Sequence, residues 1–449
     1  MALPPIATFK IFLNSTFQEE DCRDQSVETL KVSFLGAVEE VGRAAVLVET
    51  REARILLDYG VKPSEPEPLF PGHVSAKDLD AVIITHAHLD HSGAAPLFML
   101  NGRVKVYATE MTFKLCDILL RDFIKLSGYY IPYEVLEVEE LIRRGVRIEY
   151  GETIKVKDAE ITFLDAGHIP GSIQVLINAD KTILYTGDFS TTRTRLLHGS
   201  KFNPDGVDAV VMESTYATTE HPKREELEKQ FINNVKEVVE LGGRALVPAF
   251  AVARSQEMMC VLEAYGLRES IFIDGMAVKV LDLFLEDKRY VDGYQLLYSA
   301  AKHVHRVNDR RKRKQAVERS GVIISPAGML KGGPATFYVE KIFDDPYSAI
   351  YLVSFQIPGT PGAKLLEERK ILIRGEDEVE VKARVEQFLF SAHAGRKELR
   401  EYLKKLNPGS KVFTIHGEPE ACRDLANYAK EELDLDAIVP EKSVKHEIR

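Results

Sequence analysis

Within Thr85-His86-Ala87-His88-Leu89-Asp90-His91, three imidazoles and one carboxylate fall inside six residues. Such groups are costly in an apolar setting unless something binds them. Neutral imidazole and carboxylate are the usual nitrogen and oxygen donors to a divalent metal. A solvated polar turn is the plainer alternative, but matching residues elsewhere argue against it. His168 lies in Asp165-Ala166-Gly167-His168-Ile169-Pro170-Gly171-Ser172, Asp188 in Tyr185-Thr186-Gly187-Asp188-Phe189-Ser190, and His416 in Val412-Phe413-Thr414-Ile415-His416-Gly417-Glu418. Each follows an apolar run that reads as a strand, as the histidine cluster follows Asp80-Ala81-Val82-Ile83-Ile84. A strand ending in a polar loop places its last side chains at the rim of a sheet, where clefts form. One histidine after a strand is usually structural, whereas several such strand ends in one chain point to a common site.

The series His86-x-His88-x-Asp90-His91, His168, Asp188 and His416 resembles the ligand series of the metallo-β-lactamase fold. That resemblance implies two zinc ions sharing a bridging carboxylate. Carried over residue by residue, His86, His88 and His168 would hold one ion, Asp90, His91 and His416 the other, and Asp188 would bridge them. Asp58, in Ile55-Leu56-Leu57-Asp58-Tyr59-Gly60, matches the family's first motif and is expected to orient the histidine loop; Glu418 is expected to help orient His416. Two metals about 3.5–4 Å apart suit phosphodiester hydrolysis, because they activate water near neutral pH and stabilise the attacking and leaving oxygens. The imidazole-rich donor set favours zinc over magnesium, which prefers oxygen. Iron and manganese stay as alternatives, although some diiron relatives carry glutamate at the position of His88.

The fold hosts lactamases, thioesterases, sulfatases and nucleases, so the substrate must be read elsewhere. The interval between Asp188 and His416 is far longer than a simple lactamase needs, and it alternates strands with helices like an α/β domain of its own. Its segments resemble the β-CASP cap of the nucleic-acid-processing branch. The matches are Glu213-Ser214-Thr215-Tyr216, Pro248-Ala249-Phe250-Ala251-x-x-Arg254-Ser255-Gln256-Glu257, Asp274-Gly275-Met276-Ala277, Ser325-Pro326-Ala327-Gly328-Met329-Leu330-x-Gly332-Gly333-Pro334 and Phe390-Ser391-Ala392-His393-Ala394. The resemblance runs from about residue 30 to about 430 with the motifs in the family's order. It is nearest to the endonuclease subunit of the cleavage and polyadenylation specificity factor and its archaeal homologues. In family terms Glu213 is motif A, His393 motif B and His416 motif C. A histidine at motif B marks the RNA-cutting members. The resemblance implies that His393 is a general acid protonating the leaving 3′ oxygen, held in place by Glu213. A purely structural Glu213–His393 pair is the alternative.

The expected fold class is α/β: an αββα metallo-β-lactamase sandwich with an inserted α/β cap. Residues 1–28 form an N-terminal extension, 29–216 the first part of the sandwich, 217–388 the cap, and 389–449 the second part, which delivers His393 and His416. Cap strands are expected around Arg244-Ala245-Leu246-Val247, Ile271-Phe272-Ile273, Val322-Ile323-Ile324 and Ile350-Tyr351-Leu352, and an amphipathic helix at Arg396–Leu403. Ile11-Phe12-Leu13 could add an edge strand or belong to a disordered segment. At 449 residues and 45% hydrophobic, the chain can bury the cores of two domains. No apolar run approaches the roughly 18–20 residues of a membrane span, and the start lacks a secretory pattern, so no membrane is expected and the chain reads as cytoplasmic. Cys22, Cys116, Cys260 and Cys422 have no paired spacing and read as reduced thiols.

A net charge of −10 does not advertise a nucleic-acid binder, but binding follows local patches. The basic stretch 303–314 reads as a solvated helix face, with RNA-backbone contact as the sharper option. Arg193 and Arg195 in the loop after Asp188, Arg254 at a strand-to-helix turn, and Lys331 in the Gly328-Met329-Leu330-Lys331-Gly332-Gly333 turn are candidate RNA contacts. The expected partner is single-stranded RNA threading into a cleft between the domains. A homodimer and RNA-processing proteins are further candidates. The function expected is a zinc-dependent endoribonuclease of RNA processing or decay. A 5′-to-3′ exoribonuclease of RNase J type shares every motif but needs a 5′-phosphate pocket. A non-catalytic scaffold would have lost ligands, and a small-ester hydrolase would not need the cap.

Overall fold

The computed structural model describes residues 30–64, 67–373 and 377–448. The expected extension at 1–28, with Ile11-Phe12-Leu13, and Cys22 lie outside the described residues.

Two seven-stranded sheets pack face to face. The first runs Lys445–Ile448, Leu30–Phe34, Val46–Glu49, Arg54–Leu57, Ala81–Ile83, Lys105–Thr109 and Val146–Ile148 in spatial order. The second runs Asp436–Ile438, Lys411–Ile415, Ala209–Glu213, Thr182–Tyr185, Ile173–Asn178, Ala159–Asp165 and Thr153–Val156. Side chains alternate along a strand, so the sequence itself decides which face meets which. Val32, Phe34, Ile55, Leu57, Ala81 and Ile83 from the first sheet meet Ile183, Tyr185, Val211, Phe413 and Ile415 from the second in one dry layer. The interleaved residues point outward and are apolar too. Leu56, Val82 and Val106 meet helix Glu110–Ser127, whereas Leu184, Val210, Met212 and Val412 meet helices Arg396–Leu403 and Pro419–Leu433. Both faces of both sheets are therefore covered, as near-continuous apolar strands require. This is the expected αββα sandwich.

Between strands Ala209–Glu213 and Lys411–Ile415, which lie side by side in parallel, the chain builds a third sheet. Its order is Val304–Val307, Ile271–Asp274, Gly321–Ser325, Arg244–Pro248, Ala349–Leu352 and Arg384–Gln387, all parallel. Helices cover both faces: Leu246, Phe272, Ile323 and Ile350 pack on one side, Val247, Ile273, Ile324 and Tyr351 on the other. The stretch expected as one basic helix face is divided. His303 ends a helix, Val304–Val307 is the edge strand of this sheet, and Arg310–Glu318 is a separate helix. Within that helix Arg313 turns inward onto the buried Asp274 carboxylate at 2.7 and 3.1 Å, while Arg310, Arg311 and Lys314 are exposed.

The inserted sheet is tied to the loop after Asp188 by buried charge. Arg195 forms a fork onto Glu228 (3.1 and 2.5 Å), Glu257 accepts the Arg195 and Leu196 N–H groups at 2.9 and 3.1 Å, and Arg224 closes on both carboxylates. Glu228 and Glu257 are buried, so losing one partner would strand a charge at about 3–5 kcal/mol. Among the described residues no helix is long and apolar enough to cross a membrane.

Candidate metal centre and active site

Six chain segments bring donor groups to one rim of the sandwich. Strands Arg54–Leu57 and Ala81–Ile83 run parallel and release Asp58 and the His86–His91 loop at the same end. Strands Thr182–Tyr185, Ala209–Glu213 and Lys411–Ile415 also run parallel and release Asp188, Glu213 and His416 there. His168 follows Ala159–Asp165 on the turn back to Ile173–Asn178. Two of these residues leave their strands with left-handed backbone, Asp58 at φ 58° and His416 at φ 51°, a conformation that costs a non-glycine residue roughly 1–2 kcal/mol and persists where the surroundings enforce it.

His86, His88, His168 and Asp188 form one close group of potential donors, and Asp90, His91 and His416 a second. In the first, His86 Nε2 and His168 Nε2 both face His88 Nδ1, at 3.1 and 3.2 Å. In the second, His91 Nε2 faces His416 Nε2 at 3.3 Å, and Asp90 Oδ2 lies 3.4 Å from His416 Nε2. Asp188 stands between the groups with one oxygen toward each. Its Oδ2 is 3.5 Å from His86 Nε2 and 3.8 Å from His168 Nε2, and its Oδ1 is 3.3 Å from His91 Nε2 and 3.2 Å from His416 Nδ1.

The far sides of these rings are held. His91 Nδ1 meets Asp58 Oδ2 at 2.7 Å, His168 Nδ1 donates to the Ala392 carbonyl at 2.9 Å, and His86 Nδ1 lies 3.2 Å from Thr85 Oγ1. Asp58 also accepts from the Thr85 N–H (2.7 Å), the Thr85 hydroxyl and the Tyr185 hydroxyl (2.8 Å). With the outer nitrogen of His168 committed, its inner Nε2 presents a lone pair to the cluster; burial opposes a charge on His91, but the Asp188 and Asp58 carboxylates outweigh it and hold that ring well above the ordinary histidine pKa, a proton that a bound cation would replace.

These residues fit divalent metal. Burial, together with neighbouring histidines, keeps His86 and His168 well below the ordinary histidine pKa, so both are neutral donors. Burial would raise Asp188, but His416 and His91 hold it well below the carboxylate range, so it is an anion. Its Oδ1 is buried without a hydrogen-bond partner, a position that a cation would satisfy. Three imidazole nitrogens facing one another cannot all be donors. Nitrogens sharing a tetrahedral zinc at about 2.0–2.1 Å would sit roughly 3.3–3.4 Å apart, close to the spacings here.

Beside this cluster, His393 Nδ1 lies 2.9 Å from Glu213 Oε2 and 3.1 Å from Oε1, and Glu213 Oε1 accepts the Phe189 N–H at 2.8 Å. His393 Nδ1 is 4.0 Å from Asp188 Oδ2, and its ring centroid is 4.5 Å from that of His168. Burial opposes a charge on His393, but the Glu213 and Asp188 carboxylates outweigh it and push its pKa up to about 9.

Other expected residues stand elsewhere. Glu418 is exposed at the start of helix Pro419–Leu433; it is the Thr215 hydroxyl that reaches His416, lying 3.3 Å from Nδ1 and donating to its carbonyl at 3.1 Å. Arg195 is committed to Glu228, whereas Arg193 is exposed on the same loop and Lys331 is exposed on its turn. Arg254 stands at the N-terminus of helix Arg254–Ala264, near Tyr216. Thr85, Tyr185, Thr215 and the Ala392 carbonyl were not singled out by sequence. Hydroxyls at strand ends carry no distinctive pattern, and a backbone carbonyl carries none at all.

Residues 38–225 match the metallo-beta-lactamase superfamily, residues 255–365 the Beta-Casp domain, and residues 378–440 the Zn-dependent metallo-hydrolase RNA specificity domain. Over 443 residues the chain is 38% identical to RNase aCSPSF2 of Saccharolobus solfataricus, covering 96% of this chain and 89% of that protein. It is 38% identical to Probable RNase MJ4 of Methanocaldococcus jannaschii (93% and 99% covered) and 36% identical to Transcription termination factor FttA of Pyrococcus horikoshii (88% and 68% covered). A crystal structure of a protein of unknown function from Enterococcus faecalis shares the fold, with a TM-score of 0.59 at 14% identity, over 93% of this chain and 100% of that one.

Proposed function

Since the chain belongs to the β-CASP family of metallo-β-lactamase-fold ribonucleases, and is thus a metal-dependent nuclease, we propose that it cuts single-stranded RNA internally with two zinc ions. The observation that carries this reading is the Asp188 carboxylate, with one oxygen toward each of two donor groups and the Glu213–His393 pair beside it.

In this reading His86, His88 and His168 would hold one ion, Asp90, His91 and His416 would hold the other, and Asp188 would serve both. When bound, such ions supply an activated water near neutral pH and neutralise charge on the phosphate in the transition state. Asp58, Thr85 and Thr215 keep the imidazoles aimed inward. His393, with Nδ1 on Glu213, turns Nε2 toward substrate and donates that proton to the leaving 3′ oxygen, giving a 3′ hydroxyl on one product and a 5′ phosphate on the other. The Glu213 carboxylate against Nδ1 favours the protonated imidazole. Arg193 and Lys331, both exposed, would contact the RNA backbone.

Because His393 acts in its protonated form, activity falls as pH rises through its pKa. Glu213 is the carboxylate that raises that pKa most, so Glu213→Gln should move the alkaline limb of the kcat profile to lower pH. An unmoved limb would assign it to another group.

The choice between internal and end-dependent cutting is tested with one RNA sequence in two forms, covalently circular and linear with a 5′ monophosphate, incubated with zinc-loaded protein. Cleavage of the circle is expected, since a circle offers no end to enter. Degradation of the linear form alone would replace the reading with a 5′-to-3′ exoribonuclease.

A further inference from the structure

Beyond His393, on the side away from the donor cluster, lies a group of side chains that the reaction as described does not use. The Tyr216 ring is 5.7 Å from the His393 ring and 6.1 Å from the Phe355 ring, centroid to centroid. Phe355 is a phenylalanine left 47% exposed, and Phe250, in the loop that follows strand Arg244–Pro248, is 42% exposed. Buried polar atoms flank Phe355 on both sides: Ser354 Oγ and Gln356 Oε1 have no hydrogen-bond partner among the described residues. Gln356 is fixed from its other end, its amide donating to the Gly328 and Ser354 carbonyls at 3.1 and 3.2 Å.

Arg254 completes the group. Its Nε is buried and, among the described residues, unpartnered, and among them its guanidinium closes on no carboxylate, unlike Arg195 and Arg224 close by. Burial, and then the like charge of Arg224, push it down to about 10, while the neighbouring Tyr216 hydroxyl feels its positive field. Arg254 is half-buried with its Nε shut away from water, and a phosphate oxygen is the partner the planar fork of such a guanidinium fits. An exposed aromatic ring beside it is what single-stranded nucleic acid uses as a stacking platform.

We propose that Arg254, Tyr216 and Phe355 form a subsite for the nucleotide that leaves with the 3′ hydroxyl, its base against Phe355 and its 5′ phosphate on Arg254. This rests on the ribonuclease reading above and adds to it a fixed register: one nucleotide upstream of the cut is gripped by the inserted domain. Ser354 and Gln356 are placed to take its polar edges. Each grip contributes about tenfold to selection of the substrate.

The test pairs changes in protein and in RNA. An RNA with one defined cut carries either a neutral methylphosphonate at the phosphate one nucleotide upstream, or an abasic nucleotide just upstream of the cut. For the unaltered protein each change lowers kcat/KM about tenfold. Arg254→Gln shows that loss with ordinary RNA and no further loss with the methylphosphonate; Phe355→Ala does the same for the abasic nucleotide. Phe355 is exposed, so its truncation leaves folding untouched even where Arg254→Gln unfolds the protein. Equal, additive losses in variant and unaltered protein would overturn the subsite while leaving the nuclease standing. Binding of the 3′-hydroxyl product, followed by anisotropy with the same four combinations, needs no cleavage. It therefore separates failure of the subsite from failure of the ribonuclease reading.

Discussion

Asp188→Asn is expected to leave the fold standing while removing both bound metal and RNA cleavage. The carboxylate is the one anion placed within 3.8 Å of histidines in both donor groups, through Oδ2 toward His86 and His168 and through Oδ1 toward His91 and His416. An amide keeps the shape, but it turns an N–H toward a position where nitrogen lone pairs already converge and removes the charge that would balance bound cations. The loss should exceed that of Asp58→Asn, which touches the cluster only through His91 Nδ1 and should cost roughly 10–100-fold in metal affinity. Elemental analysis of desalted protein and turnover of labelled RNA measure the two effects, and thermal unfolding checks the fold. Asp188→Asn protein with full metal content would remove Asp188 from the bridging position.

His393→Ala should do the reverse, keeping metal and losing roughly 10²–10⁴-fold in kcat, the range of a general acid. Its Nδ1 lies 4.0 Å from Asp188 Oδ2, beyond hydrogen-bond reach, while Glu213 keeps its bond to the Phe189 N–H, so the donor groups keep their hydrogen bonds. A structural role predicts something else, because a residue that merely braces the site would be needed whatever the leaving atom. RNA with sulfur in place of the leaving 3′ oxygen makes the distinction. A thiolate departs without a proton, so this substrate should recover most of the lost rate in His393→Ala protein and gain little in the unaltered one. Equal losses on both substrates would return His393 to a bracing role.

Much of the site was legible because metal donors are chemically rare and the histidines of one loop are contiguous. The parallel strands were legible because runs such as Ala81–Ile83 and Lys411–Ile415 are apolar on both faces, the mark of sheets covered on both sides. What escaped was set by direction rather than by distance along the chain. Glu418 stands two residues from His416, yet the turn after Ile415 sends it outward to open a helix, and the hydroxyl that reaches the ring comes from Thr215 in the turn that follows the neighbouring strand. Arg195 follows the Asp188 loop, yet Glu228 and Glu257 arrive from helices whose docking onto that loop is a tertiary event that no spacing encodes. Tyr185 reads as a core aromatic, and its ring is one, but its hydroxyl emerges where Asp58 needs a fourth donor.

The strand that ends at His416 lies between Ala209–Glu213 and Asp436–Ile438, although the whole inserted sheet separates it from the former in sequence. Synthesis runs from the other end, and domains tend to fold as they emerge. His86, His88, His168 and Asp188 thus precede the inserted sheet in the chain, whereas the second donor group stays short of His416 until the whole of that sheet has been made. The same late stretch brings Lys445–Ile448 to the open edge of Leu30–Phe34, closing the first sheet last.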